Sequence, residues 1–245
     1  MRVHTCLSPH EVDPGVVAEA SAVVIDVLRA TSTIVEAFSA GARAIYPTQS
    51  SEEAVRLANS LGREDTLLCG ERKGLKIEGF DLGNSPLEFT PERVGGKRLV
   101  MNTTNGTRAF LAVEAAESVV AGSLLNLSAV SRSLAGSERI VLVCAGKEDR
   151  FSLDDALCAG LILQRFSEEN GSDGSREWRL DDASRAVLAL ADRYPVDADM
   201  LGRTAAGAAL VDIGLEADVV HCATVDRSGL VPVMHDRTIR LPEPL

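Results

Sequence analysis

The sequence predicts an α/β protein built on a mainly parallel sheet. Short apolar runs of strand length alternate with amphipathic stretches of helix length from residue 2 to residue 166, and polar, glycine-containing loops follow several strands. A further observation is Val23-Val24-Ile25, apolar without alternation, as a strand buried on both faces requires.

Taken in order, strands are predicted over residues 2–7 and 21–26, then a helix over 31–40 that stops near Gly41, whose freedom at positive φ suits a helix end. A strand at 43–47 leads to a helix capped by Ser50 or Ser51 and running to Leu61, with Glu52 or Glu53 placed to help close its first turn. The strand at 66–69 gives way to the polar loop Gly70-Glu71-Arg72-Lys73-Gly74. Residues 79–86 (Gly-Phe-Asp-Leu-Gly-Asn-Ser-Pro) are dense in turn formers and are expected to close over a site. Strands at 97–101, 118–121 and 139–144 alternate with helices at 108–115, 124–134 and 151–166. The last of these helices takes Ser152 as cap, with Asp154 and Asp155 in its first turn. Residues 168–176 read as a loop by composition, and a single domain over 1–245 would divide into two lobes, if at all, near 168–178. Beyond lie helical stretches at 180–194 and 198–213. A C-terminal hairpin is predicted with strands 219–225 and 230–234 flanking Asp226-Arg227-Ser228-Gly229. That apolar hairpin is the segment the sequence offers for a homodimer interface.

The formal charge of −11 and a pI near 4.9 argue against nucleic acid or an anionic membrane as partner. A bound divalent cation can still reverse the local field and admit an anionic substrate. No secretory leader and no bilayer-spanning run is expected. Five scattered cysteines, without a Cys-x-x-Cys pair, point to reduced thiols in a cytoplasm. Four histidines, none at His-x-x-x-His spacing, make zinc a poor fit; hard oxygen ligands and magnesium suit this sequence better.

Three constellations could carry chemistry. Asp26 stands at a strand's carboxyl end, facing a helix start with Arg29, Thr31, Ser32 and Thr33. In open α/β sheets ligands bind in that crevice, and a helix N-terminus favours anions. The reading is an anion site, for phosphate, with Asp26 placed for a metal or for chemistry; the structural alternative is a capping aspartate. A haloacid-dehalogenase phosphatase would need Asp-x-Asp, and position 28 is Leu28. Thr103-Thr104-Asn105-Gly106-Thr107 can surround tetrahedral oxygens. It lacks the Lys-Ser/Thr of a P-loop, and its alternative is a threonine-capped Asn-Gly turn. Glu71 and the Asp154-Asp155 pair each follow or trail a strand, and folding could bring them beside Asp26 as oxygen ligands for Mg²⁺; ordinary helix-start acids are the alternative for the pair. Cys144 with Arg150 fits Cys-x5-Arg, but Glu148 and Asp149 inside that loop would repel a phosphate dianion, so Cys144 reads as a buried structural thiol.

Several of these stretches stand in a common order. They are Ile25-Asp26-Val27-Leu28-Arg29-Ala30-Thr31-Ser32-Thr33, Gly70-Glu71-Arg72, Gly83-Asn84-Ser85-Pro86, residues 103–107, and Cys144-Ala145-Gly146 with Asp154-Asp155. Gly202-Arg203, Asp218, Cys222, Asp226 and Val231-Pro232 follow. Together they resemble the 2-phosphosulfolactate phosphatase family over essentially the whole chain. The resemblance implies a three-layered α/β/α fold, with extra helices and the hairpin at the C-terminal end. It implies magnesium-dependent hydrolysis of (2R)-phosphosulfolactate to sulfolactate and phosphate, a step of coenzyme M biosynthesis. A phosphatase for a related phosphorylated hydroxy acid and a non-catalytic binding module for anionic metabolites are the alternatives. Within this resemblance Asp26, Glu71 and Asp155 are expected to hold Mg²⁺, and Asp26 and Arg29 to be catalytic. Thr31, Ser32, Thr33, Thr103, Thr104, Asn105, Gly106, Thr107 and Gly146 are expected around the phosphate, and Asn84 and Ser85, in the closing segment, are expected to bind the substrate or its phosphate. Lys73, Lys147 or Arg203 would hold the sulfonate and carboxylate. Asp154 stands where the family pattern leads one to expect Glu, and reaches less far. Either a metal-bound water or Asp26 itself would attack phosphorus.

Overall fold

Side chains alternate along Ser21–Ile25 so that Ala22 and Val24 enter one core and Val23 and Ile25 another. Arg139–Cys144 repeats this, with Val141 and Val143 opposite Ile140, Leu142 and Cys144. Strands buried on both faces need a helical layer on each side, and the chain supplies both. The structure, a computed structural model, describes residues 1–170 and 178–242.

Among the described residues one sheet contains β1 (Arg2–Cys6), β2 (Ser21–Ile25), β3 (Ala44–Pro47), β4 (Thr66–Arg72), β5 (Leu75–Lys76), β6 (Arg98–Asn102), β7 (Ser118–Gly122), β8 (Arg139–Cys144), β9 (Arg179–Leu180), β10 (Val233–His235) and β11 (Thr238–Arg240). Their order is β5-β4-β6-β3-β11-β10-β7-β2-β8-β1-β9. The strands β7, β2, β8, β1 and β9 form one parallel block and β4, β6 and β3 a second. The antiparallel hairpin β10–β11 joins the blocks through β7 and β3.

The helices are α1 (Pro14–Val17), α2 (Ala30–Ser39), α3 (Ser51–Leu61), α4 (Pro91–Val94), α5 (Gly106–Ala112), α6 (Leu127–Ser133), α7 (Leu153–Asn170), α8 (Asp182–Arg193), α9 (Ala198–Gly202), α10 (Ala205–Val211) and α11 (Glu216–Cys222). One core takes Ile34, Ala37 and Phe38 from α2 and Ala109 and Phe110 from α5. The opposite core takes Val130 from α6, Leu157, Ile162, Leu163 and Phe166 from α7, Val187 from α8, and apolar residues of α9 to α11. A smaller cluster packs Ala54 and Ala58 of α3 against Leu68 and Val100. The result is the expected three-layered α/β/α arrangement.

Three antiparallel steps separate β7 from β3, so the smaller block starts out reversed relative to the larger one. Strand twist of roughly 20–25° per step, accumulated over the steps from β2 to β6, swings it back by roughly 100° or more. The carboxyl ends of β2, β8, β4 and β6 therefore converge on one cavity.

The C-terminal hairpin is not where the sequence put it. Val219 and Cys222 lie buried on α11 while Val220 between them is exposed, a helical spacing that a short apolar run does not distinguish from a strand. Asp226 has φ 55°, and its carboxylate accepts from Ser128 N at 2.7 Å and Ser128 Oγ at 2.6 Å, so those turn formers dock a loop on α6. The actual hairpin turns at Asp236-Arg237, both at positive φ, as a two-residue turn requires. Because β10 and β11 are paired on both edges, the hairpin lies inside the sheet and offers no free edge to a second copy. Three further boundaries differ. The strand at Thr66 continues through Arg72 and folds back as β5, where a loop was expected over 70–74. Residues 198–213 form two helices, divided where Thr204 caps α10 by accepting from Gly207 N. Residues 168–170 belong to α7, and the rest of the expected 168–176 loop, from 171 on, lies outside the described residues.

Ile239 is fully buried in the strand that joins the blocks. Ile239→Ala is expected to lower the unfolding free energy by about 2–5 kcal/mol in urea titration, and to weaken both blocks in a single transition.

Candidate active site

The cavity at the convergent strand ends has a volume of about 550 Å³. Asp26 follows β2 and is 6% exposed. Its Oδ1 accepts from Ala30 N at 3.2 Å, and Thr31 Oγ1 bridges its main chain, accepting from Asp26 N and donating to Asp26 O. Oδ2 faces Gly106: a Cβ built at that glycine would lie 2.8 Å from it, so only glycine leaves that oxygen its place. The Leu28–Arg29 peptide bond is cis.

The hydroxyls expected around phosphate divide into two groups. Thr31, Ser32 and Thr33 donate to the carbonyls of Asp26, Val27 and Asn84, and Thr103 and Thr107 bond each other across the start of α5. These five shape the loops and do not line the cavity, whereas Thr104 and Asn105 do. Asn84, Lys73, Gly146 and Lys147 also line it, and Gly106 stands behind Asp26. Ser85 faces away, donating to Asp218 at 2.6 Å. Arg203 is exposed, pairs with Asp199 at 2.7 Å, and is not among the lining residues.

The acids arrive from both blocks. Glu71, on β4, accepts from Thr104 N at 2.7 Å and Gly74 N at 2.9 Å. Asp155, on α7 behind β8, accepts from Val27 N at 2.8 Å and Gly146 N at 2.9 Å. Asp154 beside it accepts from Ser152 Oγ. Burial, and then the charges of Asp154 and Glu71, push the Asp26 carboxyl up to about 7, against the pull of Ala30 N–H and Arg29. Burial also raises Asp154, and burial with the charges of Asp154 and Asp26 holds Asp155 well above the usual carboxylate range. Among the described residues no three acidic, histidine or cysteine side chains gather at metal-coordinating spacing. The oxygens of Glu71 and Asp155 turn to backbone N–H groups, and each oxygen keeps a second lone pair.

Arg29 is the buried cation of the site. Nη1 donates to Asp218 Oδ2 at 2.6 Å and Nη2 to Gly74 O at 2.6 Å. Asp218 comes from α11, far along the chain, and is almost wholly buried. Sequence reasoning gave it no role, because nothing local to residue 218 marks a partner at residue 29. Asp154 was likewise placed at the margin, yet it lines the cavity and its charge bears on Asp26. Cys144 is fully buried, and burial holds its thiol well above the ordinary value, as a structural thiol requires.

The model of the 2-phosphosulpholactate phosphatase family matches residues 6–237 of this chain. Three similar proteins each carry the name probable 2-phosphosulfolactate phosphatase. That of Caldanaerobacter subterraneus subsp. tengcongensis is 42% identical over 91% of this chain and 90% of its own length. That of Thermotoga maritima is 40% identical over 91% and 92%, and that of Thermus thermophilus 41% identical over 97% and 95%.

A folded-state carboxyl raised above its unfolded value contributes stability below the unfolded value and loses it as pH rises toward the folded one. For Asp26 that loss falls between about 4 and about 7. In EDTA, Asp26→Asn is therefore expected to raise Tm at pH 8 by ~2–4 °C or more, and to leave it nearly unchanged at pH 5, in paired thermal melts.

Proposed function

This chain belongs to the 2-phosphosulpholactate phosphatase family, and from that premise we propose that it hydrolyses the phosphate monoester of (2R)-phosphosulfolactate to sulfolactate and phosphate, with magnesium. The observation that carries the reading is Asp26: a buried carboxyl pushed up to about 7, lining the same cavity as Arg29. A group that titrates near the working pH is suited to move a proton in the reaction.

Uncatalysed phosphate monoester hydrolysis is slow enough that an efficient enzyme lowers the barrier by ~20 kcal/mol or more. A single base contributes at most about 10⁴-fold, or ~5 kcal/mol, so most of the effect must come from positioning and from charge held ready. Arg29 supplies that charge: Asp218 and Gly74 fix its guanidinium, so facing the phosphoryl oxygens requires no rearrangement. Asp26 takes the proton of the attacking water. Asp154, whose proton affinity burial raises, returns a proton to the leaving oxygen of the hydroxy acid. Lys73 and Lys147 line the same cavity and would meet the substrate's remaining acid groups, Lys147 with the protons its bond to Ala205 O leaves free.

A cavity lined by Asp26, Glu71, Asp154 and Asp155 that is to admit an anion needs a compensating cation, and its hard oxygens suit magnesium. Asp26, Glu71 and Asp155, which do not stand at metal-coordinating spacing in this structure, would be its ligands, Glu71 and Asp155 through the lone pairs their backbone bonds leave free. Bound there, magnesium supplies Lewis-acid charge to the phosphoryl oxygens. Five free, buried cysteines support a reducing, cytoplasmic setting.

Phosphate release from phosphosulfolactate is expected with Mg²⁺ and not in EDTA, and Asp26→Asn is expected to lower turnover by about 10²–10⁴-fold while keeping the fold. Release from phospholactate or phosphoglycerate in preference would move the substrate to a related acid. Full turnover by Asp26→Asn would remove Asp26 from the mechanism.

A further inference from the structure

Most of the charged donors lining the cavity are already engaged. Arg29 bonds Asp218 and Gly74, Arg72 bonds Glu71 O and Asn102 Oδ1, and Lys147 Nζ donates to Ala205 O at 2.9 Å. Asn84 is different. Its side chain lines the cavity in a residue only 4% exposed, yet no described residue bonds either end of the carboxamide, and Oδ1 is wholly enclosed.

The backbone around Asn84 is pinned on every side. Asn84 O accepts from Thr33 Oγ1 at 2.9 Å, Gly70 N donates to Leu82 O at 3.2 Å and Gly83 O at 3.1 Å, and Ser85 Oγ reaches Asp218 at 2.6 Å. The backbone that carries the amide is thus fixed at the cavity wall, and a buried amide left unpaired costs about 1–3 kcal/mol. Thr104 Oγ1, on the same cavity, is also buried without a partner. The two groups share one chemistry: each is uncharged and each can donate a hydrogen bond. A phosphoryl group presents acceptor oxygens, and neutral donors can meet them without being drawn into ion pairs with the four carboxylates nearby.

We propose that Asn84 is a ligand-contacting residue whose carboxamide donates to a phosphoryl oxygen. Oδ1 is the enclosed end of the amide, and the N–H₂ end, which is not wholly enclosed, is the one left to meet an oxygen in the cavity. This assignment rests on the reading of the site as one for phosphomonoesters, and it adds the group that reads the phosphoryl oxygens.

A buried amide with a structural role and one kept for a ligand respond oppositely to removal, which gives the test. Asn84→Leu and Asn84→Ala would be purified beside the parent and melted with Mg²⁺, with and without inorganic phosphate, and assayed for phosphate release. The expected result is a Tm without phosphate that is unchanged or higher in at least one variant, a reduced or lost stabilisation by phosphate, and a KM raised tenfold or more. Asn84→Asp, which keeps the shape but adds a charge, should lose the phosphate response most completely. Parent-like phosphate stabilisation and turnover in the Leu and Ala variants would overturn the assignment. So would a lowered Tm in both with the phosphate response intact, since that marks a structural amide. A parent that neither responds to phosphate nor releases it would overturn the phosphatase reading itself, and the role of Asn84 with it.

Discussion

The ion pair between Arg29 and Asp218 is the contact on which the rest of the site depends. Both groups are almost wholly buried and lie 2.6 Å apart. Leaving either charge alone in that interior would cost about 3–5 kcal/mol, so each dictates where the other's element must sit. Through Arg29 the pair reaches the loop after β2 and the carbonyl of Gly74; through Ser85 it reaches the segment that carries Asn84. Three stretches remote in sequence thus meet at one carboxylate, and Gly74 joins them through the guanidinium. The guanidinium it orients lines the cavity that holds Asp26.

The acids near Asp26 have a double character. Glu71 fastens the Thr104 loop to the β4–β5 turn, and Asp155 fastens the loop after β2 to the loop after β8. Each joins two strand ends through backbone N–H groups, as a good cap does, and each brings negative charge to the cavity. Burial and mutual repulsion of these charges raise the proton affinity of Asp26 and Asp155 above that of an aspartate in water. The same side chains therefore set the loop geometry and the proton affinity of the group in their midst.

The sheet explains how residues from two parallel blocks can share one cavity. A hairpin of three-residue strands reverses direction between the blocks, and the twist on either side returns their carboxyl ends to a common point. Asp26 and Asp155 come from one block and Glu71 and Thr104 from the other. The cavity exists only where they face each other.

The sequence by itself determined the α/β class, the positions of most strands and helices, and the strand ends at which polar groups gather. Periodicity, caps and glycine placement are local, and they are written within a few residues of where they act. Ser50 at the start of α3 is an example, accepting from Glu53 N while Glu53 reaches back to Gln49 N. The tertiary structure alone decided that residues 219–222 are helix, that the true hairpin lies inside the sheet, and that the hydroxyls at 31–33 shape a loop. It alone brought Asp218 to Arg29, turned Asp154 toward Asp26, left Arg203 outside, and enclosed Asn84 without a partner. These outcomes depend on burial and, for Asp218, on partners more than a hundred residues away, and neither is encoded in the spacing of neighbours along the chain.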